Sequence, residues 1–109
     1  MTFYPRRLFA DGFTLMPGVV FIKARWAWDK ALHAHEAVHE RQMREIGVLT
    51  FWWRYLTSKS AWAAFEVEAY RAQALVNNIK PENYAVTLAN GYRLGITEAQ
   101  AAAELGVKP

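Results

Sequence analysis

At 109 residues the chain is sized for one domain, and 53% apolar with 21% charged residues is the balance of a globular protein with a modest core. The net charge of +3 comes from scattered Lys and Arg, so no nucleic-acid partner is expected. No cysteine is present, which excludes disulfides, thiolate zinc ligands and a cysteine nucleophile.

The opening MTFYPRRLFADG has neither an apolar h-region nor a small-residue cleavage site, so no signal peptide is expected. No uncharged apolar run approaches the ~18 residues of a spanning helix. A cytoplasmic protein is the expectation.

Residues 1–24 read as extended. FTL and VVFI flank Met16-Pro17-Gly18, a turn signal, which predicts a short hairpin or one strand over 19–23. A helix is predicted over 27–46, stopped by Gly47. Leu32, His35, Glu36, His39, Met43 and Ile46 share one of its faces. A short helix follows over 48–58, and a longer one over 61–77 with Ser60 as its cap and Lys80-Pro81 as its break. A further helix is predicted over 82–90. Thr97 and Gln100 form a capping box that opens a last helix ended by Gly106.

The apolar face of the 27–46 helix carries the pattern HExxH: His35, Glu36 and His39. Histidines one turn apart can reach one ion, and the glutamate beside them can take a proton from a metal-activated water. Left without partners, two histidines and a glutamate in an apolar stripe incur a desolvation cost. A metal would answer that need for both histidines at once.

A hydrolytic zinc takes three protein ligands. His33 is turned about 200° from His35 round the helix. The continuation HExxHxxGxxH is absent, with Gln42 and Glu45 in place of its Gly and last His. Asp11 and Asp29 both precede the motif. The remaining donor is a downstream glutamate, and two stand out, Glu66 and Glu68 in FEVEAYRAQ. Glu66 lies in the apolar stripe with Trp62, Phe65, Ala69, Tyr70 and Gln73 and is the preferred ligand. Glu68 points elsewhere, with Arg71 as its expected ion-pair partner.

His35-Glu36-Ala37-Val38-His39 with Gln42, followed by Phe65-Glu66-Val67-Glu68-Ala69-Tyr70, resembles the gluzincin metallopeptidases, in particular the small minigluzincin type. The likeness covers residues 13–77 and, more loosely, the tail. The glutamate helix of many gluzincins reads E-x-x-A-D, its first Glu a zinc ligand and its Asp often a support for a ligand histidine. Here Tyr70 stands in place of that Asp, and either supports a histidine through its hydroxyl or faces elsewhere. The resemblance implies a zincin-like α+β fold, with a small N-terminal strand or hairpin packed on a helical bundle. It also implies an extended peptide or protein substrate docked beside an edge strand, which here would be Val19 to Ile22.

The function expected from these residues is a zinc-dependent peptidase. Zinc would be held by His35, His39 and Glu66, and Glu36 would act as general base. The alternative is a non-catalytic zinc-binding protein-interaction module. The aromatic run VLTFWWRYL, with one charge, reads as core, partner surface or cleft wall rather than a membrane anchor. TEAQAAAELGVKP opens like a helix-turn-helix, but no recognition helix follows it. Tyr55, Tyr84 and Tyr92 are candidate oxyanion donors, and His33 is expected to face solvent or a polar contact.

Overall fold

A computed structural model describes residues 1–8 and 10–85, together with Thr87, Gln100, Ala103, Leu105 and Gly106. It is a small α+β protein, and its described residues include three long helices and one three-stranded sheet. No helix among the described residues is long and apolar enough to cross a membrane.

The sheet comprises β1 (Thr2–Phe3), β2 (Gly12–Met16) and β3 (Val19–Ile22), in the order β1-β3-β2. Pro17-Gly18 turns β2 back antiparallel onto β3, and Gly18 takes the positive φ of 85° that the turn requires. β1 joins β3 in parallel at Thr2–Val20 and Phe3–Phe21. Alternation sends Thr14, Val20 and Ile22 to the buried face, where Val20 and Ile22 pack on Leu32. On the other face Phe21 stacks with Phe3, and Phe13 leans on Trp52.

The helices are α1 (Lys30–Ile46), α2 (Val48–Thr57) and α3 (Lys59–Asn77). α1 begins later than the predicted 27 because Ala24–Trp26 forms a 3-10 turn and Asp29 then caps Leu32 N at 3.1 Å. Gly47, at φ 90°, ends α1 and leads directly into α2. α3 is capped by Ser58, which accepts from Ala61 N at 3.2 Å, rather than by the expected Ser60. Asn78 closes α3 in the left-handed region at φ 55°.

α1 packs chiefly on α3. A core cluster joins Trp62, Val67 and Tyr70 of α3 with Ala85 and Leu105. Within the predicted 82–90 helix, Pro81–Tyr84 is a 3-10 turn and Ala85 and Thr87 are helical. The rest of that stretch and Thr97 of the capping box lie outside the described residues.

Candidate metal centre

α1 brings four polar side chains inside, His35, Glu36, His39 and Gln42, and its facing neighbour α3 adds Glu66, all with at most 6% exposure. His35, Glu36 and His39 fall on the helix face turned to the core, so burial follows from spacing alone. Glu66 enters by the same logic from α3, whose inward stripe also includes Trp62, Ala69 and Tyr70.

His35, His39 and Glu66 each offer one ligand atom, all within 4.8 Å of one another. Nε2 of His39 lies 2.5 Å from Glu66 Oε1, and Nε2 of His35 lies 3.6 Å from Oε2. The outer nitrogens are also engaged. His35 Nδ1 is 2.9 Å from Gln73 Oε1, and His39 Nδ1 is 2.9 Å from Gln42 Oε1. An amide oxygen can only accept, so each Nδ1 carries a proton. A neutral ring then turns its Nε2 lone pair inward, towards a carboxylate that is itself all lone pairs. Among the described residues, Glu66 has no hydrogen-bond donor other than these two rings.

Such a cluster of electron pairs needs a positive charge at its centre. Without a metal, a proton on His39 meets part of that need. Burial works against the imidazolium, but Glu66, and then Glu36, outweigh it and raise the His39 pKa to about 9. Burial likewise disfavours a charged Glu66, yet His35 and His39 hold its pKa down to about 2. A divalent ion would satisfy all three groups, and the two-imidazole, one-carboxylate set suits zinc. The residues therefore fit the ion that the sequence pattern implies.

Glu36 sits differently. Oε1 accepts from the Thr14 hydroxyl at 2.8 Å, and Oε2 lies 4.0 Å from His35 Nε2. Burial is the largest influence and raises its pKa, against the lowering effects of His35, His39 and Thr14. A Cβ placed on Gly12 would come within 2.9 Å of Oε2. Gly12 and Thr14, two apart on β2, thus point at one carboxylate: one leaves room and the other holds it.

A cavity of about 30 Å³ is lined by Gly12, Thr14, His35, Glu36, His39 and Tyr55, among others, and is large enough for a water or an ion. It shares walls with a cleft of about 710 Å³ that runs past Phe13, Trp52, Leu56, Tyr70, Gln73 and Tyr84.

The other sequence candidates separate. Glu68 is half-exposed and pairs with Arg41 at 2.5 Å, not with Arg71, because it faces the adjacent α1. Arg71 instead donates to the Leu105 carbonyl at 3.1 Å. Tyr70 packs its ring edge-on against His35, with centroids 4.5 Å apart, and Gln73 is the residue that takes the His35 proton. His33 contacts the Ala27 carbonyl at 2.9 Å. Tyr55 lines the cavity, and burial, then Glu66, raises its pKa and keeps its phenol protonated. Tyr84 lines the outer cleft, where its hydroxyl accepts from Asn77 at 3.0 Å. Tyr92 lies outside the described residues.

The docking strand needs correction. Val19–Ile22 is the central strand, hydrogen-bonded to β1 on one side and β2 on the other. The sheet edge beside the cleft is β2, whose Gly12 and Phe13 form part of the cleft wall. The N-terminal Thr2–Phe3 strand, too short to show a pattern, is what encloses β3.

Comparisons with protein-family models, with curated proteins and with solved structures find no match to this chain.

Proposed function

We propose that this chain is a zinc-dependent peptidase of the gluzincin type with a zincin-like fold. One observation supports the reading above the rest. Three buried ligand atoms converge with no donor for Glu66 beyond the two imidazoles among the described residues, while the neighbouring Glu36 lines the cavity. His35, His39 and Glu66 would hold the ion. When bound, zinc supplies a Lewis acid that polarises a peptide carbonyl and acidifies a water.

Glu36 would accept the proton of the attacking water at Oε2, the oxygen that Thr14 does not occupy, and later pass it to the leaving amine. Its burial suits this work, because a carboxylate with a raised pKa is a stronger base nearer neutral pH. Tyr55, protonated and lining the cavity, is the best-placed donor to a developing oxyanion. An extended peptide would lie beside the outer strand β2, its side chains in the cleft lined by Trp52, Leu56, Tyr70 and Tyr84.

The test is cleavage of an unfolded polypeptide by the zinc-loaded chain and by Glu36→Gln. The parent should cleave, and the variant should bind zinc and fail to cleave. Equal cleavage by both would sink the role of Glu36. Zinc uptake without cleavage of any unfolded protein would favour a non-catalytic zinc-binding module.

A further inference from the structure

Glu68 looks at first like half of a surface ion pair. It is half-exposed, and Arg41 of α1 meets its Oε1 at 2.5 Å. An exposed pair of this kind contributes little to stability. The same Oε1, however, also accepts from Gln42 Nε2 at 2.9 Å, and Gln42 is only 5% exposed.

The Gln42 amide has two N–H groups, and both are aimed at acceptors. Glu68 Oε1 takes one, and the Phe65 carbonyl lies 3.1 Å from the same nitrogen. Rotating the amide by half a turn would set its oxygen against a carboxylate and a carbonyl. That arrangement would place three acceptor oxygens against one another with no hydrogen between them, and it is disfavoured. The amide oxygen is therefore fixed towards His39 Nδ1, 2.9 Å away. With Nδ1 obliged to carry the proton, Nε2 keeps its lone pair on the side of Glu66. The reversed amide would donate to Nδ1 and move the imidazole proton to Nε2, where the ion has to bind.

We infer that Glu68 is a positioning residue for the metal, acting through Gln42 to fix the tautomer of His39. The inference rests on the zinc reading above. It differs from a merely structural role in one respect: the acceptor at position 68 matters, and the ion pair with Arg41 does not. The second histidine lacks this backing, since among the described residues Gln73 on the cleft wall has no further bond than the one to His35. The ligand histidine away from the cleft is locked, and the one on its wall is held by a single amide.

The experiment measures two quantities on the full chain. Zinc affinity is read by competition with a chromophoric chelator. The His39 tautomer is read from imidazole 15N shifts of the metal-free protein at a pH where the ring is neutral. Glu68→Leu should weaken zinc by about 10-fold, the low end for loss of an outer partner, and should populate the Nε2–H tautomer. Glu68→Gln, whose amide oxygen can still accept from Gln42, should restore both readouts to within about 3-fold of the parent. Arg41→Ala removes the ion pair alone and should leave both near parental values. The inference is overturned if Glu68→Leu matches the parent in both readouts, or if Arg41→Ala reproduces its loss. If the parent binds no zinc while Glu68→Leu still shifts the tautomer, the zinc reading fails and the tautomer lock stands.

Discussion

Two carboxylates share one buried pocket, Glu36 from α1 and Glu66 from α3, and their surroundings push them in opposite directions. Glu66 is 1% exposed and faces two imidazoles, which hold its pKa down to about 2. Glu36 is 3% exposed and faces the β2 edge, with one hydroxyl on Oε1 and a glycine opposite Oε2, and burial raises its pKa. Similar burial therefore leaves one carboxylate held as an anion and the other more readily protonated. Separation of this kind between paired titratable groups is how one site obtains both a ligand and a base.

The comparison breaks most visibly at Glu66. Glu66→Ala should lower zinc affinity by more than the ~10–100-fold typical of an outer partner, and by far more than Glu68→Ala. Chelator competition on the two variants measures this. The larger loss appearing at Glu68 would mean that the two faces of α3 have been assigned the wrong way round.

Next in size is Glu36→Gln, which retains shape and removes the base. Hydrolysis of an unfolded polypeptide should fall by at least ~100-fold, the lower range for general acid–base catalysis. Zinc affinity should stay near the parent's, because Glu36 is not among the three converging ligands.

A smaller effect is expected from Gly12→Ala. The added methyl would lie 2.9 Å from Glu36 Oε2, so the carboxylate must shift against its bond to Thr14. Cleavage should drop about 10-fold, a modest share of what a 1 Å misplacement can cost, with zinc binding unchanged. Full activity in this variant would show that the open oxygen has no need of the glycine.

The smallest expected effect is on stability and pH. The His39 pKa rises from 6.5 to about 9 on folding, so its contribution is complete below pH 6.5 and is lost as pH climbs through about 9. The Glu66 pKa falls from 4.5 to about 2, so its contribution is present above pH 4.5 and is lost as pH drops through about 2. The Tm of the chelated protein should therefore decline between pH 6.5 and 9.5. With zinc in place of the proton that decline should flatten, and Tm should be higher throughout. Parallel thermal melts across this range decide the matter, and identical slopes with and without zinc would count against His39 as the shared group.

Much of this site is legible in the chain because helices advertise themselves locally. The 3.6-residue period alone puts His35, Glu36 and His39 on one inward face and separates Glu66 from Glu68. Gln73, seven residues after Glu66, lies on the same stripe, but nothing in the spacing says which histidine it meets. The strand side is less readable. Gly12 and Thr14 alternate correctly for one face, yet their aim at Glu36 depends on the pairing of β2 with β3 and on the packing of the sheet against α1. The error over the docking strand has the same origin. Whether Val19–Ile22 is edge or centre depends on two N-terminal residues that pair across a long gap in sequence. Glu68 shows the limit within helices, since its partners Arg41 and Gln42 lie on another helix.

The most direct test of the centre itself is a calorimetric titration of the metal-free 109-residue chain with zinc, with His35→Ala alongside. The proposed centre requires one zinc per chain for the parent and none for the variant at the same concentrations, with both natively folded. A natively folded parent that takes up no zinc, or a His35→Ala variant that binds it as tightly as the parent, would contradict it.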